Sequence, residues 1–198
     1  MKNKLTIISS FVLFSIFFLT GCAQTYYANY TIRDLKSGKY DADTSHIYEL
    51  PYEEEKSYLM VQGYYSKLSH KNEYSLDFKM KTGTNICAAR DGKVVRMREK
   101  YTEGGTNKKY MNAANIIVIK HDDSTFAGYW HLQKDGAFVE VGDEVKAGDI
   151  IGLSGDTGYS AFPHLHFWVY DKNFNTMPTR FKTSKGVLYL KPRKRYQK

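Results

Sequence analysis

The sequence predicts an all-β domain. From Tyr58 onward the chain breaks into short β-prone runs divided by turn residues, hardly any window keeps a helical period, and Asp122-Asp123-Ser124 marks a hairpin turn between two of the runs. In chain order the expected strands are Tyr58–Gln62, Tyr74–Met80, Thr84–Ala88, Gly92–Arg98, Asn115–His121 and Thr125–His131. Two shorter ones follow, Val139–Val141 and Ile150–Ser154, and His164–Tyr170 closes the patterned region. Long loops are expected over 98–114 and 155–163. Glycines at 152, 155 and 158 argue that the second loop has a defined shape, since glycine permits backbone angles and close approaches that other residues resist. No lysine follows them and no strand-to-helix context exists, which excludes a phosphate loop.

The amino terminus reads as an export signal. Lys2 and Lys4 precede an apolar run from Leu5 to Leu19, shorter than the roughly 20 residues a membrane span requires. The run ends in Leu19-Thr20-Gly21-Cys22, which resembles a bacterial lipoprotein signal. The expectation is that residues 1–21 are removed and Cys22 is acylated. Cys87 is then the only free thiol, and the fold needs a core or a metal rather than a disulfide. Residues 22–56 are polar and tyrosine-rich and read as a lipid-proximal tether that partly packs on a domain at 57–175.

The formal charge is +8, and the last twenty residues carry all of it, with eight basic side chains from Arg180 to Lys198 and no acidic one. Residues 176–198 therefore read as a basic tail, while the body from Cys22 to Pro178 is slightly acidic. In an exported chain such a tail fits anionic lipid or wall polymer better than nucleic acid.

Six histidines are present, and two stand in Pro163-His164-Leu165-His166-Phe167. Side chains two apart on a strand leave from one face, so one imidazole can hold a metal while the other works on what the metal binds. Imidazole and carboxylate are the usual ligands of a catalytic zinc. His70 lies in a polar loop, and Asp77 interrupts the apolar run around Leu76 and Phe78, where a charge is costly unless something compensates it. His131 ends an aromatic strand. His121 is set aside because the acidic turn beside it accounts for it by charge and solvation, and His46 because it lies in the tether.

Taken in order, these features resemble the lysostaphin-type zinc peptidases, family M23. The resemblance rests on His70 with Asp77, on Tyr129-Trp130-His131-Leu132, and on the glycine-rich loop from Gly155 that ends in His164-Leu165-His166. It also takes in Val61-Gln62-Gly63-Tyr64, Ala88-Ala89-Arg90-Asp91-Gly92 and Gly142-Asp143, and covers approximately Leu50 to Tyr170. The connection from His70 to Asp77 is longer than in many members, and Phe162 stands where a small residue is commoner. The resemblance implies a two-sheet antiparallel core with long loops around a groove. It implies that His70, Asp77 and His166 hold Zn2+, and that His131 and His164 form the catalytic pair, with the role of each left open. No His-Glu-x-x-His helix is present, so the base is expected to be imidazole. The implied activity is cleavage of peptidoglycan peptides, in the stem or the cross-bridge. The alternative is a non-catalytic or latent wall-binding relative that regulates wall enzymes. The lipid anchor at Cys22 would keep the domain at the envelope. An outer membrane facing the periplasm is the first expectation, and the outer face of the cytoplasmic membrane the second.

Overall fold

The computed structural model describes Leu35 and residues 47–198. The expected signal segment, Cys22 and His46 lie outside the described residues. An eight-stranded antiparallel sheet dominates. Its spatial order is Glu144–Val145, Gly92–Arg98, Ile116–Lys120, Phe126–Trp130, His164–Tyr170, Ser75–Lys79, Ser57–Gln62, Lys194–Gln197. A second antiparallel sheet joins Asn85–Cys87, Ile150–Ser154 and Leu132–Ala137. The all-β expectation holds, and two small sheets are added to it. Ile47–Tyr48 runs parallel to Arg180–Thr183, which also pairs with Gly186–Leu188. Gly104–Gly105 runs parallel to Gly158–Tyr159.

The core follows from strict alternation on the central strands. Leu165, Phe167 and Val169 point to one face with Leu76, Phe78, Ile117, Ile119 and Tyr129, and all are buried. Against them pack Tyr48, Leu50, Tyr52, Ile86, Ile151 and Phe181 from the segments that cover this face. Each such large apolar side chain contributes about 1.5–3 kcal/mol by leaving water. Tyr129 keeps its hydroxyl paired inside the core, where it accepts from the Ala89 amide at 2.8 Å. The opposite face of the same strands carries His164, His166, Asp77 and, further along, Trp130 and Trp168.

Two elements depart from the sequence reading. Val139–Val141 is not a strand. Its place is taken by Leu132–Ala137, whose Lys134-Asp135-Gly136 conceals it, because exposed polar positions and a left-handed Asp135 (φ 49°) carry no β signal. Residues 176–198 are not a free tail. Lys194–Gln197 forms the edge of the main sheet against Ser57–Gln62, and Tyr52 donates to the Tyr196 carbonyl at 2.7 Å. Phe181, Leu190 and Tyr196 are buried between basic residues, a sparse apolar pattern that the charge density hides. The tether's last residues likewise join the core, since Tyr48, Leu50 and Tyr52 are fully buried.

The Asp122-Asp123-Ser124 turn closes as expected, with the His121 amide donating to the Thr125 carbonyl at 2.9 Å. Partial burial opposes ionisation of Asp123, but hydrogen bonds from Thr125 and Arg90 hold its carboxyl down to about 2, from an ordinary value of 3.8. A depressed carboxyl stabilises the fold above its unfolded value and loses that contribution as pH falls through the folded one. Urea midpoints of the natural chain and Asp123→Asn should therefore differ near neutral pH and converge near pH 2. A gap that persists undiminished in acid would remove the charge from the explanation.

Candidate metal centre

Strand register builds the centre. Gln62 stands opposite Asp77, Asp77 opposite His166, and His166 opposite Trp130, so one line crosses four strands. A register shift between Met60 and Gln62 brings Gln62 onto that line, as bulges re-aim side chains. His70 arrives from the preceding loop, and His131 follows Trp130. Gln62, His70, Asp77, His131 and His166, spread over 104 positions of the chain, thereby face one groove of about 610 Å³.

Asp77 is the hub. Its Oδ1 lies 3.0 Å from His166 Nδ1, 3.2 Å from His70 Nε2 and 3.7 Å from His164 Nε2, while Oδ2 accepts from Gln62 Nε2 at 2.9 Å. Burial works against its charge, yet His166 and His70 outweigh burial and hold the carboxyl well below the usual carboxylate range.

The His70 contact tests whether a metal fits. His70 Nδ1 lies 3.3 Å from the Gly63 carbonyl, which can only accept, so Nδ1 carries the hydrogen and Nε2 presents a lone pair. Although Nε2 is 3.2 Å from the carboxylate oxygen, it makes no aligned hydrogen bond, and the ring is 1% exposed. A buried lone pair facing a carboxylate repels it unless a cation stands between them. Burial disfavours the His70 imidazolium, but Asp77 outweighs that and the net shift is upward, another sign that the site calls for positive charge. Two imidazole nitrogens and one carboxylate suit zinc and leave a position open. The residues fit the group.

His131 and His164 are held differently. The His131 backbone is left-handed (φ 66°), a conformation that costs a non-glycine residue about 1–3 kcal/mol and recurs at functional sites. Its Nδ1–H donates to the Thr157 carbonyl at 2.7 Å. The Thr157 hydroxyl in turn donates to the Leu132 carbonyl and accepts from the Asn115 amide, at 2.7 and 2.9 Å. His164 Nδ1–H donates to the Phe162 carbonyl at 2.8 Å. Both rings thus keep Nε2 as an acceptor, with centroids 4.7 Å apart. Burial first, then the neighbouring imidazoles, lower His131 to about 3. Burial also lowers His164, against the pull of Asp77.

The two long loops form one wall. Gly104–Gly105 pairs with Gly158–Tyr159 so closely that a Cβ on Gly104 would sit 1.7 Å from the Asp156 carbonyl oxygen, which leaves room for glycine alone. Thr106, Tyr159 and Phe162 line the groove from this side, and Lys79 Nζ lies 5.9 Å over the Phe162 ring. His121 stands apart, as expected, but not for the expected reason. It is 2% exposed rather than solvated, packs edge-on to Tyr48 and places Nδ1 2.7 Å from the Asp91 carbonyl. Gln62, Asn115 and Thr157 support the site without a local pattern that marks them as functional. Gln62 and Thr157 lie in runs that carry the family resemblance, Val61-Gln62-Gly63-Tyr64 and the glycine-rich loop from Gly155, while Asn115 stands in no such run. Glu73, half-buried on the groove beside His70, carries no such mark either.

Residues 71–178 match the family model for peptidase family M23, a span that begins immediately after His70 and contains Asp77, His131, His164 and His166. Glycyl-glycine endopeptidase ALE-1 of Staphylococcus capitis is 43% identical over 104 residues, which cover 52% of this chain and 26% of that protein. Peptidoglycan DD-endopeptidase ShyA of Vibrio cholerae is 40% identical over 91 residues, covering 46% and 18%. The catalytic domain of lysostaphin from Staphylococcus simulans superposes with a TM-score of 0.43 at 35% identity, covering 58% of this chain and 79% of that one. The chain thus spans about a quarter or less of the length of these two curated relatives.

Proposed function

Since the chain belongs to peptidase family M23, we propose that it is a zinc-dependent endopeptidase that hydrolyses peptide bonds of peptidoglycan at the cell envelope. The observation that carries this reading is the convergence of His70, Asp77 and His166 on one buried point beside two imidazoles whose Nε2 atoms are unprotonated acceptors. The names of two relatives, a glycyl-glycine endopeptidase and a peptidoglycan DD-endopeptidase, support the substrate class and differ in the bond they point to.

His70, Asp77 and His166 would hold the zinc. When bound, it would supply Lewis-acid polarisation of the scissile carbonyl and acidify a water. The remaining steps belong to the chain. The lowered basicity of His131 and His164 keeps both rings neutral at pH 7, so each can accept a proton from the attacking water. As the water oxygen bonds to the carbonyl carbon and the carbon–nitrogen bond breaks, the protonated ring returns its hydrogen to the leaving amine. The second ring, its Nδ1–H held by the Thr157 or Phe162 carbonyl, also presents an unprotonated Nε2, which accepts a hydrogen bond from the attacking water and orients it. Asp77 stays ionised and orients both ligand imidazoles.

The proposal includes the envelope. Acylation at Cys22 would hold the domain near the wall, at an outer membrane facing the periplasm. No helix among the described residues is long and apolar enough to cross a membrane. The basic strands at 180–197 would offer cations to anionic lipid or wall polymer.

Digestion of purified peptidoglycan by the zinc-loaded chain lacking residues 1–21 tests the reading. Fragments separated by chromatography should show new amine and carboxyl ends, each cut adding one water, and their masses should identify the bond. Intact sacculi after prolonged incubation, with zinc bound stoichiometrically, would favour the non-catalytic wall-binding reading instead.

A further inference from the structure

We propose that Glu73 is a fourth, displaceable protein ligand of the metal held by His70, Asp77 and His166, one that closes the centre until substrate or water takes its place. The proposal rests on the metal site described above and concerns what completes it. A Glu73 carboxylate oxygen and one ring nitrogen each of His70 and His166 all lie within 4.8 Å of one another. Asp77 Oδ1 lies 3.2 and 3.0 Å from the same two residues' nitrogens. Glu73 thereby brings a second carboxylate to the two imidazoles that Asp77 contacts, and with it the donors available to zinc would number four, whereas a catalytic centre keeps one position for water.

Three features make Glu73 a ligand that can leave. Its carboxylate forms no hydrogen bond or ion pair with the described residues, although it is half-buried beside the centre. Its backbone is tied down where the Tyr65 amide donates to the Glu73 carbonyl at 3.1 Å, which leaves the side chain as the freer part. Outward rotation also has a destination. Glu73 forms part of the wall between the metal groove and a second hollow of about 530 Å³, lined by Lys71 and Lys108, whose cations would receive the carboxylate. The charge consequence is direct. Two carboxylates neutralise a divalent ion, and release of Glu73 restores one positive charge to the centre when a carbonyl needs polarising. Asp77, gripped by Gln62 and both imidazoles, has no such freedom.

The test uses metal binding as its readout. The natural chain, Glu73→Ala, Glu73→Gln and a His70→Ala control are titrated with zinc against a chromophoric chelator, and their Co2+ forms are examined by visible absorption. Removal of Glu73 should weaken zinc by about 10–100-fold, at least what loss of an outer-shell partner costs. The Co2+ bands should change as water replaces the carboxylate, and added acetate should perturb the Glu73→Ala spectrum at lower concentration than the natural one. Zinc affinity and Co2+ spectra unchanged in both Glu73 variants would overturn the proposal, while loss of metal by His70→Ala would leave the underlying site standing. If His70→Ala also binds zinc normally, the site itself fails. Circular dichroism of the metal-free variants checks folding, and Glu73→Gln, close in shape, is read if the alanine variant is unfolded.

Discussion

Replacing Asp77 by alanine is expected to abolish metal retention and peptidoglycan cleavage together. No other side chain in the centre touches so many of its members. Asp77 Oδ1 lies within 3.2 Å of the His70 and His166 imidazoles, and Oδ2 takes the Gln62 amide. Without the carboxylate, the buried His70 ring and the half-buried His166 ring face each other across a void, and a divalent ion would keep at most two imidazoles and Glu73. Four-coordinate zinc cannot be held tightly by that remnant. Asp77→Asn should behave alike, because the amide preserves shape but removes the charge that favours both ligands. Zinc content after dialysis, measured by atomic absorption on protein shown to be folded, gives the answer. Stoichiometric zinc in a folded Asp77→Ala protein would defeat the assignment, whatever its activity.

His164→Ala should separate what Asp77→Ala joins. The ring is tied by its Nδ1–H to the Phe162 carbonyl only two residues away, and its Nε2 is farther from Asp77 Oδ1, at 3.7 Å, than the facing nitrogens of His70 and His166 are. Metal content should remain near that of the natural chain. Cleavage should fall by about 10²–10⁴-fold, the range expected when a positioned acid–base group is lost. Loss of zinc in parallel with activity would move His164 from proton transfer into the ligand set. Equal activity would exclude it from the chemistry and leave His131 as the one imidazole available.

Much of this arrangement is legible in the residues themselves. An aspartate between Leu76 and Phe78 and two histidines flanking Leu165 announce polar groups on an otherwise apolar pattern. The structure brings those three, with His70 and His131, around one groove. What escapes is support. Gln62 reaches Asp77 only because the register shifts after Met60, and Thr157 reaches His131 only because its loop is held against Gly104–Gly105. Glu73 lies three residues after His70 in a polar loop, where nothing local distinguishes it from a solvated charge. The basic end misleads for a related reason, since Phe181, Leu190 and Tyr196 are too sparse to outweigh eight cations by composition.

The amino-acid sequence by itself determined the all-β class, most of the central strands and the residue types able to hold a metal. These properties depend on alternation and on the cost of placing a charge in an apolar run, both of which are local. Tertiary structure alone decided that Asp77 and His166 stand opposite one another, that His70 offers an unpaired nitrogen to their carboxylate, and that the carboxyl-terminal residues seal the main sheet. Those outcomes depend on hydrogen-bond register between strands far apart in the chain. A slip of one residue would turn the same imidazoles to the opposite face.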